Sequence, residues 1–432
     1  MPLVLMSARA AAQAILSDVL RKRRPLDAAT DDVLARAGLS TRDAGFARVI
    51  ANETLRRLGQ LEALLRVFVA KSPPPHRAGP TLEILLAGAC ELLFLDVAPH
   101  AAVDGANRLA AADHKAVHFK PLINATLRRI SREGKDALAA QDEERLAVPD
   151  WLWQRWTHSF GEEATRAIAR AHLETPPLDI LGTDDFSPLR ALPDAALLPG
   201  GTLRLRHAGR IEELPGYGEG QWWVQDFAAS LPARLLGDVK GKTVIDLCAA
   251  PGGKTAQLAR AGAQVIAVER EAPRVTMLKD NLARLKLDAR VIEADMRDFV
   301  AEDPAPFVLL DAPCSATGTI RRHPDLPWIK AAADVSACAG TASELLDAAA
   351  AMVAEGGILV FAVCSLEPEE GVEQVAHFLR RHAEFRREPV DSSEVFGLNE
   401  LVSREGDLRT LPCHLSKQGG MDGFYAARLR RR

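Results

Sequence analysis

Apolar positions along this chain follow two periods, and the change comes near the end of its first third. In residues 7–70 they recur every three to four positions. Ala11, Ile15, Val19 and Leu20 fall on one helical face, and Phe46, Val49, Ile50 and Leu55 on another, in a helix expected to start at a Thr41 cap. Lys71-Ser-Pro-Pro-Pro-His reads as a rigid loop. Leu82, Ile84, Leu85, Leu86 and Leu93 predict another buried helix, and Ala101 to Ala112 a further one behind Pro99. No strand-like run occurs before residue 140, so residues 1–140 are expected to form an all-α domain.

Residues 145–235 change character. Pro149-Asp-Trp-Leu-Trp-Gln-Arg-Trp opens a helix, Pro176-Pro177 breaks the chain, and short strand-like runs follow at Leu178–Leu181 and Leu203–Leu205. A helix from Phe227 to Leu236 is capped by Asp226. This is a small α+β connector. Trp222 and Trp223 within it read as packing rather than as a platform for stacking bases.

From residue 236 to 432, β-branched runs alternate with helical spacing. Val244, Ile245 and Leu247 form the first run, and Gln264–Glu269, Ala289–Asp295, Phe307–Asp311 and Gly357–Cys364 the next four. Val275, Leu278, Leu282 and Leu285 lie on one helical face between them. Strands alternating with helices predict a Rossmann-like, doubly wound α/β domain. Its later strands are expected to end in Glu269, Asp295, Asp311 and Cys364, at the sheet edge where such folds bind ligands.

The first strand runs into Asp246-Leu-Cys-Ala-Ala-Pro-Gly-Gly-Lys-Thr. A phosphate-binding P-loop would need glycine five positions before Gly253, where Cys248 stands. The dinucleotide pattern G-x-G-x-x-G also fails. The remaining pattern resembles the S-adenosylmethionine turn of methyltransferases. Its glycines let backbone approach a ligand closely, and the helix behind it offers unpaired N–H groups.

Charge adds an asymmetry. Residues 1–140 carry 20 Lys+Arg and 14 Asp+Glu, a net +6; since the whole chain is −4, the other 292 residues carry −10. A basic front domain beside an acidic enzyme domain suits a nucleic-acid substrate. No apolar run is long enough to span a membrane. The first residues lack the basic region of a secretion signal. Six cysteines without C-x-x-C or zinc spacing predict a cytoplasmic protein with free thiols and no metal site.

Two further stretches carry chemistry. Asp311-Ala-Pro-Cys-Ser and Cys364-Ser-Leu-Glu-Pro-Glu-Glu each place a cysteine at a predicted strand end, followed by serine. A thiolate is the nucleophile suited to adding to a conjugated ring carbon. With the cofactor turn, this set resembles the Sun/Nop-type RNA (cytosine-C5)-methyltransferase family. Ala8-Arg-Ala-Ala-Ala-Gln-Ala-Ile-Leu and Pro121-Leu-Ile-Asn-Ala-Thr-Leu-Arg-Arg-Ile resemble the NusB-type RNA-binding helical domain. The whole chain is thus similar to bacterial enzymes that methylate small-subunit (16S) ribosomal RNA.

That resemblance implies specific roles. The cofactor loop maps onto Cys248, Ala249, Ala250, Pro251, Gly252, Gly253 and Lys254, and the further cofactor acids onto Glu269, Asp295 and Asp311. Glu269 stands where the family usually has aspartate. The nucleophile maps onto Cys364 and the second cysteine, which assists product release, onto Cys314. Asp311, with Lys254 assisting, is implied to bind the base edge. The implied cofactor is S-adenosyl-L-methionine, the partner RNA, and the protein a monomer. The alternatives are a non-catalytic RNA-binding ribosome assembly factor, and a methyltransferase acting on another RNA, on protein or on DNA. In DNA enzymes the nucleophile follows proline, which here would be Cys314.

Overall fold

Residues 6–69, 74–182, 186–206 and 208–432 are described in the computed structural model. The predicted loop at 71–76 falls outside them as far as Pro73. The chain divides into two compact units, Met1–Leu173 with Arg322–Ala331, and Glu174–Arg321 with Ala332–Arg432.

The first unit is helical. Its main helices are Ala8–Lys22, Leu26–Ala37, Thr41–Arg56, Leu58–Phe68, Thr81–Leu93, Pro99–Ala112, Lys120–Ala139, Asp150–Phe160 and Glu162–His172. Ile15, Val19, Val33, Ile50 and Leu55 meet in one core; Leu61, Leu64, Ile84, Ile123 and Leu127 fill another. The spacing read from sequence therefore buries most of the positions it names, but Val49 and Leu82 are exposed. One cap differs. Ser40, not Thr41, accepts the Asp43 N–H at 3.1 Å, and Thr41 is the first helical residue. Both carry hydroxyls, so the pattern alone could not choose between them. The basic run at the end of the first helix is engaged in structure. Arg21 pairs with Glu83, Lys22 and Arg24 with Asp18, and Arg23 donates to the Ile329 carbonyl.

Ile329 belongs to a segment the sequence assigned elsewhere. Residues Arg322–Ala331 lie within the catalytic stretch of the chain but pack in the helical unit. Asp325 Oδ2 accepts the Leu26 N–H at 2.9 Å, and the Trp328 indole N–H donates to the Leu55 carbonyl at 3.0 Å.

In the second unit, strands β1 (Leu178–Gly182), β2 (Ala196–Leu197), β3 (Leu203–Leu205) and β4 (Trp222–Val224) form a small antiparallel sheet in the order β2-β3-β1-β4. Asp179 of β1 holds Arg204 of β3 through two hydrogen bonds of 2.6 Å, both side chains being buried. Trp222 and Trp223 are buried, and their indole N–H groups donate to the Pro215 carbonyl and to Gln225, so both pack as expected.

The larger sheet contains β5 (Thr243–Leu247), β6 (Gln264–Glu269), β7 (Arg290–Glu293), β8 (Ala305–Asp311), β9 (Val353–Val363), β10 (Phe385–Arg387) and β12 (Tyr425–Arg431), with β11 (Leu408–Arg409) paired to β12. The order is β7-β6-β5-β8-β9-β12-β10, parallel through β9 and antiparallel beyond it. Successive side chains of a strand face opposite sides. Val244 and Leu309 accordingly meet Leu258 and Leu278 of the helices on one face. Ile245 and Leu310 meet Leu346 and Phe378 on the other. The strand order reverses between β5 and β8, which puts a crevice at their carboxyl ends.

Two predicted strand ends shift. β7 stops at Glu293, because its partner β6 stops opposite it at Glu269, and Asp295 lies in the following turn. Cys364 stands one residue beyond β9.

Candidate active site

The loop after β5 begins at Cys248, whose φ of +59° is in the left-handed region, and reaches Gly252 at φ +102°. A Cβ on Gly252 would lie 2.6 Å from Leu278 Cδ1. The position therefore needs glycine both for its backbone and for the helix packed behind it. The helix Gly253–Arg260 starts at once, and Lys254 on its first turn is buried.

At the sheet edge, a cavity of about 440 Å³ is lined by Cys248, Ala250, Glu269, Asp295 and Asp311, together with Pro313, Cys314 and Cys364. Among the residues expected to bind cofactor, Ala249, Pro251, Gly252, Gly253 and Lys254 are not part of this lining. They form the turn behind it. Lys254 reaches the cavity wall through Asp311, its Nζ lying 2.7 Å from Oδ2.

The acids are held in different ways. Glu269 is buried; its Oε1 accepts the N–H groups of Arg270 at 3.0 Å and Glu271 at 3.2 Å, and its Oε2 accepts that of Ala250 at 3.3 Å. Asp295 is clamped by Arg297, with Nη2 2.7 Å from Oδ2 and the backbone N–H 2.9 Å from Oδ1. The Arg297 side-chain hydrogen bond, followed by its backbone N–H, brings the Asp295 carboxyl down to about 2. Asp246, at the end of β5, is enclosed and accepts the Thr255 hydroxyl at 2.6 Å; burial pushes it up to about 7.

The thiols come together although 50 residues separate them. Cys314 Sγ and Cys364 Sγ stand 3.5 Å apart. The hydrogen bond with Cys364, then burial, pushes the Cys314 thiol well up. Cys248 is also pushed up, to about 12, first by burial. It is a wall of the cavity rather than a nucleophile. The loop after Cys314 is fixed from behind. Gly318 donates its N–H to the Cys364 carbonyl at 3.0 Å and accepts the Gly423 N–H at 2.8 Å, and a Cβ on Gly318 would stand 1.9 Å from the Gly423 oxygen.

Sequence reading missed several lining groups: Arg270 and Arg274 beside Glu269, Arg297, and Cys338 and Thr341 of the helix Ala332–Ala351. The arginines lie within five residues of the predicted acids and could have been found by that spacing. The helix residues carry no local signal, since small residues on a buried helix read as packing.

The cavity fits S-adenosylmethionine on its own terms. Glu269 and Asp311 stand at strand ends and Asp295 two residues beyond another, apolar walls come from Val268, Met296 and Leu345, and two thiols share the lining.

The family model for 16S rRNA methyltransferase RsmB/F matches residues 233–430, and that of the NusB family matches residues 6–132. The ribosomal RNA small subunit methyltransferase B of Pseudomonas putida is 36% identical over 98% of both chains, and that of Pasteurella multocida 33% identical over 99% of this chain and 97% of its own. The crystal structure of PH0851 shares the fold with a TM-score of 0.75 at 22% identity, covering 99% of both chains. The chain belongs to the family of ribosomal RNA small subunit methyltransferase B, S-adenosylmethionine-dependent methyltransferases that carry an N-terminal NusB domain.

Proposed function

We propose that this protein acts in the cytoplasm on small-subunit (16S) ribosomal RNA, methylating C5 of a cytosine through a covalent bond between Cys364 and C6 of the base. The reading is carried by one observation: two sulfurs 3.5 Å apart in the lining of a cofactor-sized cavity, close enough for one to share a proton with the other. One thiol is thereby left to attack and the other to donate. The basic helical domain and the substrate in the relatives' name support RNA as partner.

The chain's own groups divide the work. Glu269, Asp295 and, from the turn, Cys248 and Ala250 hold the cofactor, with Ala249 and Pro251 to Gly253 shaping the turn behind them. The target base leaves its stack to enter the cavity. The Cys364 thiolate adds to C6, and the electron pair displaced from the ring makes C5 nucleophilic. Asp311 accepts from the exocyclic amine, and the Lys254 ammonium beside it stabilises the negative charge developing on the ring. S-adenosylmethionine supplies the methyl group that C5 accepts. Once C5 has lost its proton to a base, the bond from C6 to sulfur breaks and the pair returns to Cys364. Cys314 S–H donates a hydrogen bond to that departing sulfur.

The test is the fate of two variants on ribosomal RNA. Cys364→Ala should neither methylate nor form an adduct. Cys314→Ala should leave protein covalently attached to RNA, as a species that survives denaturing electrophoresis and disappears with nuclease. The opposite pattern would make Cys314 the nucleophile and overturn the assignment. Bisulfite mapping of the RNA locates the methylated cytosine, and a map without one would leave an RNA-binding assembly factor.

A further inference from the structure

Directly behind the two thiols lies a carboxylate that the mechanism above leaves idle. Glu370 is fully buried. Its Oε1 accepts the Ser315 backbone N–H at 2.7 Å, and its Oε2 accepts the Ser315 hydroxyl at 2.6 Å and the Ser365 hydroxyl. Ser315 follows Cys314 and Ser365 follows Cys364, so one side chain grips the residue after each thiol. A carboxylate this deep is costly unless its oxygens are fully hydrogen-bonded. Here those donors come from the two cysteine loops.

The loops are laced elsewhere as well. Thr317 Oγ1 accepts the Leu366 N–H at 3.0 Å, and Ser365 Oγ accepts the Glu367 N–H at 3.0 Å. The first joins the two loops through a hydroxyl and the second folds the Cys364 loop on itself, and both would keep the loops folded in some form. Glu370 differs in acting on both positions next to sulfur at once, and in bringing a negative charge behind Cys314. That charge adds to the hydrogen bond and the burial that push the Cys314 thiol up.

We propose that Glu370 is the positioning residue of the thiol pair: it fixes the residue after each cysteine and so sets the gap across which Cys314 S–H reaches the departing Cys364 sulfur. The proposal rests on the roles given above to the two cysteines. The step conserves its atoms. The bond from C6 to sulfur breaks, the electron pair stays on Cys364, and the Cys314 proton is shared across the gap and not consumed.

Single-turnover measurements on the full-length protein test this, with transcribed small-subunit ribosomal RNA and S-adenosylmethionine, following adduct formation and release separately from pH 7 to 11. Glu370→Ala removes the grip. Adduct formation should stay within about threefold of wild type while release slows by about a hundredfold, the scale of a small misplacement in an active site, so the adduct accumulates. Glu370→Gln keeps the shape and removes the charge. With its neighbouring anion gone, Cys314 loses its proton more easily, and the alkaline limb of the release rate should move down by about one pH unit. Should Glu370→Ala fold poorly, Glu370→Gln and Ser365→Ala carry the test. Wild-type release and an unmoved pH limb in the folded variants would overturn the proposal. So would an equal fall in both steps with a lowered melting temperature, which marks a role in folding alone. Cys314→Ala is run alongside. If it leaves no persistent adduct, the thiol roles fail; if it does and the Glu370 variants release normally, only this inference fails.

Discussion

Lys254 Nζ and Asp311 Oδ2 lie 2.7 Å apart, joining the first turn of the helix after β5 to the end of β8. Lys254 does not line the cavity, whereas Asp311 does. The pair therefore brings a positive charge to the Asp311 wall of the cavity without placing it in the lining.

This separates two roles that the turn Gly253-Lys254-Thr255 leaves merged in sequence. Lys254→Met should lower kcat by about two to three orders of magnitude, the scale of losing one charge-stabilising donor, with S-adenosylmethionine affinity within about threefold of wild type. Calorimetry beside turnover assays checks it. A large loss of cofactor affinity with kcat preserved would place Lys254 in the cofactor site instead.

Glu269 presents the contrasting case. Its oxygens are already oriented by the N–H groups of Ala250, Arg270 and Glu271, leaving the carboxylate fixed at the cavity wall. We expect Glu269→Gln to weaken S-adenosylmethionine binding by about 10- to 100-fold, because a hydrogen bond to a charged group contributes about 1.5–3 kcal/mol. Titration by calorimetry reads this directly, and an unchanged Kd would remove Glu269 from the cofactor site.

Much of this site was legible because its parts are local. A β-branched run ending in an acid, glycines opening a helix, and cysteine followed by serine are each contained within ten residues. Glu370 was printed in the same stretch as Cys364, but its grip on Ser315 spans 55 residues, and no local pattern encodes that contact. The segment Arg322–Ala331 was missed for the same reason. It falls within the range 236–432 expected for the α/β domain, and the packing of Trp328 and Ile329 against helices from the front of the chain reveals where it belongs. Asp295 and Cys364 were placed one or two residues too far into their strands, because a strand stops where its partner does.

Asp246 gives a pH dependence of known sign. Its folded pKa of about 7 lies above the ordinary 3.8, raised by burial. The native state therefore holds this proton where the unfolded chain has released it. The stabilisation is complete below about pH 4 and is lost as pH rises to about 7. Three units correspond to an upper bound on the order of 4 kcal/mol. Asp246→Asn mimics the protonated form and should abolish this contribution. The difference in melting temperature between pH 4.5 and 7.5 should shrink in the variant, and an identical difference would mean that Asp246 is ionised in the native protein throughout.

The last prediction concerns the helical domain. On the helix Lys120–Ala139, Ile123, Leu127 and Ile130 face the core, while Arg128, Arg132 and Lys135 are exposed on the other side. Arg129 is tied to Glu133 at 2.8 Å, so it is the least available of the cations there. The bland reading is a solvated face, and stability would not distinguish it, since exposed charges contribute little to folding. Salt dependence does. If Arg128, Arg132 and Lys135 each neutralise an RNA phosphate, replacing all three with glutamine should weaken binding and reduce the slope of log K against log salt by about 2 to 3, since each phosphate contact adds about 0.7–0.9. The loss should be similar for unrelated RNA sequences, because phosphate contacts carry no sequence information. Melting temperature should stay within a degree or two, and single-turnover methylation at saturating RNA should be retained. An unchanged slope would assign these cations to solvent and move the RNA contact elsewhere on the molecule.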